Sequence, residues 1–337
     1  MSIAWQFYIS TVLVYLGVDI IACWGLNLQF GVAGVYNFAF IVYQAAGAYT
    51  AAVLTLGPVS AGDFQQYVGG NHWTFPLSLI AAAVVGGAVA GATGVIALNR
   101  LRADYQAMVM LVISLIATSV AVNQAGLLNG AAGLSLVPKP LSDNLQLSFV
   151  DYQWFYVGLT AVACAIVYWF THRITSSPLG RAMRAVRDNE KTAASIGKRV
   201  TRLRMVALIV GGAFAGLSGG LLVEFIGTWA PGGWQYRETF LLFTAIIVGG
   251  AANNLGAAIG ALVVPITFLE ATRFLPAFGY PGLIDALQWI AVGILTLIFL
   301  WFRPKGIFPE RLRRFPAGLR SGAVAPSDSP IALHRSP

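Results

Sequence analysis

Ser177-Pro178-Leu179-Gly180-Arg181-Ala182-Met183-Arg184-Ala185-Val186-Arg187-Asp188-Asn189-Glu190-Lys191-Thr192-Ala193-Ala194-Ser195-Ile196-Gly197 is a dense polar island in a chain that otherwise reads as soluble in lipid. Its own grammar is that of two short helices at a bend. Ser177 caps the first, and Pro178 takes the first helical position, where a missing N–H costs nothing. Asp188 and Asn189 offer a cap for the second, and Gly197 a C-terminal stop. Arg181, Arg184 and Asp188 share one face at i, i+3 and i+7, while Ala182, Ala185, Ala193 and Ala194 leave other faces open to a second backbone. The order of residues predicts a docking element, whereas charge alone fits equally a basic loop that only fixes topology.

Outward from the island, composition sets the class. The chain is 57% hydrophobic and 10% charged, with recurring apolar runs of roughly 18 residues or more. It is therefore expected to be all-α, a polytopic transmembrane bundle of about eight to ten spans with Gly- and Asn-interrupted segments. Spans are expected near 5–27, 33–56, 76–98, 107–125, 154–171, 204–226, 239–269 and 286–302. Of the 21 Lys and Arg, two lie at Arg100 and Arg102, nine between Arg173 and Arg204, and seven from Arg303 onward. Basic residues stay in the cytosol, so these stretches are expected inside and the 57–75, 126–153 and 227–238 connections outside. A single crossing over 239–269 would strand the basic tail outside. The run is therefore split at Gly249-Gly250-Ala251-Ala252-Asn253-Asn254. The N-terminus has no Lys or Arg ahead of its apolar run and no clear small-residue cleavage site, so no cleaved signal peptide is expected.

A second break, Gly25 to Gly31 and Gly34 to Phe38, interrupts the start of the chain. Paired Gly-interrupted segments mark a permeation route, or else are interfacial loops between ordinary helices. Neutral polar side chains suit a zwitterion with an apolar side chain, which singles out Asn27, Asn37, Gln44, Asn123 and Gln124 as route lining. Asp19 and Glu224 are ionisable groups inside spans and hence functional candidates; otherwise Asp19 pairs with a polar neighbour and Glu224 reaches the headgroups. Gly212, Gly216 and Gly220 form a close-packing stripe, with Gly211, Ala215 and Gly219 beside it, facing this subunit or a second one. Residues 1–303 read as one membrane domain with a cytosolic loop over 172–203, and 304–337 as a cytosolic tail expected to be largely disordered.

Several chemistries are excluded. Ser195-Ile196-Gly197-Lys198 lacks the upstream glycine of a phosphate-cradling loop, so the chain does not hydrolyse ATP. His72, His172 and His334 are scattered, Cys23 and Cys164 lie in apolar runs, and no metal, cofactor or catalytic triad is expected. The net charge of +8 follows from topology and contact with anionic inner-leaflet lipid, and not from nucleic acid.

The run Leu179 to Glu190, then Ala193-Ala194 and Gly197, resembles the cytoplasmic loop of ABC importer permeases for branched-chain amino acids, of the LivM type. The segment from Gly25 to Phe40 with Gly47 to Tyr49 is similar to their early glycine-rich segment, although the family more often has Ser-Leu-Gly where this chain has Tyr36-Asn37-Phe38. Asn129 to Pro140 resembles their Gly-rich stretch followed by Pro-x-Pro, and Phe302-Arg303-Pro304-Lys305-Gly306-Ile307 their last-span exit. The resemblance implies that Gly180, Arg181, Arg184, Arg187, Asp188, Asn189, Glu190, Ala193, Ala194 and Gly197 couple to an ATPase. It further implies a second permease, two ABC ATPases, a periplasmic or lipid-anchored substrate-binding protein, and the bacterial plasma membrane. An ion-coupled secondary transporter using Asp19 or Glu224, a membrane-embedded enzyme, and an ABC permease for urea, short amides or sugars remain as alternatives.

Overall fold

The computed structural model of the protein describes residues 3–59, 64–98, 103–142, 146–268 and 283–310. In chain order its helices are α1 (Ile3–Asn27), α2 (Phe40–Thr55), α3 (Leu77–Leu98), α4 (Ala103–Asn123), α5 (Phe149–Ser176), α6 (Pro178–Asp188), α7 (Glu190–Ser195), α8 (Val200–Ile226), α9 (Tyr236–Gly249), α10 (Asn254–Ala261) and α11 (Leu283–Phe302), beside single turns such as Ala125–Leu128. Among the described residues only isolated bridges, Tyr67 with Leu128 and Leu134 with Trp229, stand outside this helical scheme. Five helices, α1, α3, α4, α5 and α8, are long and apolar enough to cross a membrane.

The bundle is built on α8. Its glycines leave no side chain to hold neighbours away, and in lipid such backbone contact replaces the hydrophobic drive that water would supply. Gly212 and Gly216 lie directly against Ala82, Gly86 and Ala90 of α3. On the adjacent stripe Gly211 meets the Gly25 carbonyl of α1, and Gly219 the Gln44 carbonyl of α2. The small-residue stripe around Gly212, Gly216 and Gly220 thus packs within the subunit.

These contacts also set depth. Gly25 faces Gly211 and Gly47 faces Gly216, so α1 ends and α2 begins well inside the length of α8. The expected span over 33–56 is corrected accordingly: its helix starts only at Phe40, after a π-helical turn over Leu28–Val32 and a non-helical stretch. Gly34 has φ 69°, and Asn37 Oδ1 accepts from the Ala39 N–H at 3.0 Å, a side-chain turn that competes with helix. Most of this irregular backbone is buried in protein, as lipid requires. The start of α9 lies beside that of α2, with Thr239 Oγ1 accepting from the Ile41 N–H at 3.2 Å.

The break expected at Gly249 to Asn254 is present. Gly250 (φ 119°) ends α9, and Asn253 caps α10 by accepting from the Leu255 and Gly256 N–H groups. Gly249 and Ala245 face Gly256 and Gly260, so α9 and α10 form a tight antiparallel hairpin. Past α11 the chain doubles back, and the Ile307 and Phe308 N–H groups donate to the Val248 and Gly249 carbonyls at 2.8 and 2.9 Å. Residues 304–310, read from sequence as the start of the tail, therefore pack on the body. The rest of that tail, 311–337, lies outside the described residues.

Candidate functional site

The polar island folds as its caps dictate. Ser177 Oγ accepts from the Gly180 N–H at 3.3 Å, Asn189 Oδ1 from the Thr192 N–H at 3.0 Å, and Gly197 takes the left-handed conformation at φ 81°. Gly180, Met183, Val186 and Ala193 form the buried underside of α6 and α7, with Gly180 seated on the Ile174 and Thr175 carbonyls. Arg181, Asp188, Asn189, Glu190, Ala194 and Gly197 are exposed, as is Ile196 at 66%. Ala193 and Ala194, grouped in the sequence, face opposite ways.

Arg184 and Arg187 turn inward. Arg184 Nη2 donates to the Thr175 carbonyl at 2.9 Å, and its Nε lies 2.9 Å from Glu310 Oε1, an ion pair whose N–H is not aligned for a hydrogen bond. Arg187 reaches Glu310 Oε2 with Nη2 and Asp188 Oδ1 with Nε, each at 2.9 Å, and donates through Nη1 to the Gly31 carbonyl. Burial opposes the Arg187 charge, but the Glu310 and Asp188 carboxylates more than offset it and hold its pKa above the ordinary guanidinium value. The Asn253 amide donates to the Phe308 and Pro309 carbonyls at 3.3 and 3.2 Å, and Asn27 Oδ1 accepts from the Ala252 N–H at 2.8 Å. One cluster therefore ties the basic element, the doubled-back segment and both breaks together.

The polar residues singled out in the sequence separate. Asn27 bonds the second break, and Asn37 donates to Gln29 Oε1 at 2.7 Å while Gln29 donates to the Leu208 carbonyl at 3.0 Å. Gln44 borders a cavity of about 540 Å³ with Asp19, Tyr15, Trp229, Glu238 and Leu241. Asn123 and Gln124 sit exposed at the end of α4, away from that cavity, with Asn123 bonded to the Ser119 carbonyl at 2.8 Å. Glu224 does not reach outward: it is fully buried, accepting from Ser78 Oγ at 2.6 Å beside a cavity of about 310 Å³ that His72 and Lys139 also line. Glu310 and Gln29 escaped the sequence reading. The one available signal was an acidic residue just past a basic span exit. Among the described residues no group of His, Cys, Asp and Glu could hold a metal ion.

A family model described as the branched-chain amino acid transport system permease component matches residues 8–301. The chain belongs to this family. It is 27% identical over 329 residues to the branched-chain amino acid transport permease protein LivM of Methanocaldococcus jannaschii, covering 90% of this chain and 94% of that one. The high-affinity LivM permease of Escherichia coli (strain K12) is 25% identical over 349 residues, 96% of this chain and 76% of the relative. A LivH permease of M. jannaschii is 26% identical over 304 residues, 90% and 93% of the two chains. No solved structure matches the chain. The protein is thus a multi-pass transport permease component and not an enzyme. In this permease the Gly-rich segment from Asn129 to Pro140 positions an aromatic side chain. Leu134 and Trp229 exchange backbone hydrogen bonds at 2.9 and 2.8 Å, fixing Trp229 over the bundle. Gly133, at φ 71°, lies where any β-carbon would strike the Trp229 carbonyl and Ala230.

Proposed function

We propose that this permease is one of two related membrane subunits of an ATP-binding-cassette importer in the bacterial plasma membrane, moving branched-chain amino acids inward by alternating access. Two separate ATPases serve the pair, and one of them docks on the exposed side of α6 and α7 around Asn189, Glu190 and Ala194. A periplasmic or lipid-anchored binding protein delivers the substrate. The chain needs no cofactor of its own, and residues 1–303 form the membrane domain to which the strap to Glu310 adjoins.

The observation that carries this reading is the Arg184–Arg187–Glu310 cluster. A polar loop that only fixed topology would have no reason to aim two guanidinium groups back at the bundle. Here a push on α6 has a direct physical path to Gly31 and, through the doubled-back segment, to Gly250 and Asn253. Both breaks are points where a helix can change direction without losing an internal hydrogen-bond ladder.

The test is substrate-stimulated ATP hydrolysis by the reconstituted complex carrying Ala194→Trp. An indole ring on this exposed position leaves assembly at the wild-type level and abolishes stimulation, because it cannot enter a groove shaped for a methyl group. Undiminished stimulation, or gradient-driven uptake with no ATPase present, would overturn the reading in favour of an ion-coupled transporter.

A further inference from the structure

The cavity between α1, α2, α9 and the Trp229 segment holds charged and polar groups that the protein leaves unanswered. Asp19 and Glu238 both border it, and among the described residues its lining includes no Lys, Arg or His. The neighbouring Arg237 lies outside that lining, over the Trp289 ring and on Gln235 Oε1 at 2.8 Å, and its charge acts on Glu238 from outside the cavity. Trp229 is 8% exposed, and its indole N–H has no partner among the described residues. The Thr11 hydroxyl, on the same lining, is also unpartnered. Gln44, 5% exposed, makes no side-chain hydrogen bond among the described residues. The remaining wall is apolar, with Ile41, Leu222, Leu241, Leu242 and Ile266.

An unpartnered buried donor costs about 1–3 kcal/mol, and buried carboxylates with no cation bonded to them cost more. Native interiors keep such groups where something else completes them. The missing pieces are specific: one cation for the two acids, one acceptor for the indole N–H and the hydroxyl, and one apolar body for the wall. The volume, about 540 Å³, lies in the range of small-molecule sites. The cavity also sits where the short helices α2 and α9 begin inside the bundle, the arrangement in which helix N-termini favour an anionic group.

We propose that this cavity is a substrate site for an amino acid zwitterion with an apolar side chain. Its ammonium lies between Asp19 and Glu238, its carboxylate meets the Trp229 N–H and the Thr11 hydroxyl, and its side chain rests on Leu222, Leu241 and Leu242. The inference rests on the permease reading above and adds that this subunit itself recognises the substrate. Selection is then shared with the binding protein.

The experiment uses the permease–ATPase complex in lipid nanodiscs without the binding protein, with radiolabelled leucine as probe. Saturable binding is expected that valine and isoleucine displace, while isocaproate, which lacks the ammonium, and leucinamide, which lacks the carboxylate, do not. Asp19→Asn weakens binding at least about tenfold, the loss of one charge-assisted contact, and Trp229→Phe weakens it several-fold. If Asp19→Asn fails to assemble, Trp229→Phe decides, since it deletes one N–H and keeps the ring. Displacement by both analogues as effective as by leucine overturns the site. So does absent binding in a complex that still imports leucine once its binding protein and ATP are supplied, a result that leaves the importer reading standing. Absent import as well removes both.

Discussion

The centre of the bundle and its basic end are held together by opposite means. Along the Gly211–Gly220 stretch of α8 the contacts are backbone on backbone and small residue on small residue. At the basic end they are long side chains, with Arg184 and Arg187 on Glu310 and Asn27 on the Ala252 N–H. Backbone contact at a glycine seam has no soft degree of freedom, because any separation loses all of it at once. Guanidinium–carboxylate and amide contacts can rotate, exchange partners and re-form. The contrast separates the frame of this permease from its moving linkage.

The severest challenge to this division is Gly216→Leu. A β-carbon there already meets the Ala82 carbonyl, so the larger side chain forces α8 from α3 at a cost of about 3 kcal/mol or more. The expected result is a severe loss of assembled complex by size-exclusion chromatography. Full assembly would mean that the seam can open, and the frame would then be no frame. A smaller effect is expected of Arg187→Ala, which leaves Glu310 with one partner and the Gly31 carbonyl with none. The pair is partly solvated, side chains 23% and 19% exposed, so the loss is about 2 kcal/mol. Thermal unfolding shifts modestly while stimulated ATP hydrolysis disappears, and Arg187→Lys restores only part of it because an ammonium lacks the fork. Retained stimulation in Arg187→Ala would disconnect the linkage from coupling. The mildest change is Asn27→Ala, which removes the acceptor from one buried N–H and costs about 1 kcal/mol. It is expected to slow transport without lowering the amount of complex, and an equal loss of both would assign Asn27 to the frame.

Local grammar was legible where the cause is local. Ser177, Asn189 and Gly197 act at the ends of α6 and α7 as the sequence predicts, and Gly249 to Asn254 divides what hydropathy shows as one run. Distance in the chain hid the rest. Glu310 stands 123 residues from Arg187, and nothing in either neighbourhood announces the pair. Asn27 reads as a polar residue in a broken span, yet its partner, the Ala252 N–H, belongs to the other break. Hydropathy placed a span over 33–56, because apolar residues line buried irregular backbone as readily as they line a helix. The unpartnered indole of Trp229 was invisible for a similar reason: its position comes from Leu134 and Gly133, far upstream.

The hairpin of α9 and α10 has a bearing on how the chain reaches the membrane at all. The first contains 14 residues and the second runs as one apolar helix over Asn254–Ile266 among the described residues, each short there of the roughly 20 apolar residues that partition into lipid unaided. Their unpaired ends are sheltered by Asn27, Thr175 and the segment after α11, and not by length. Chain order places this pair after α1, α2 and α8, so the helices it packs on precede it, while the segment that closes over its turn follows. The hairpin is thus seated on helices that come before it and latched by the stretch of chain that comes after it.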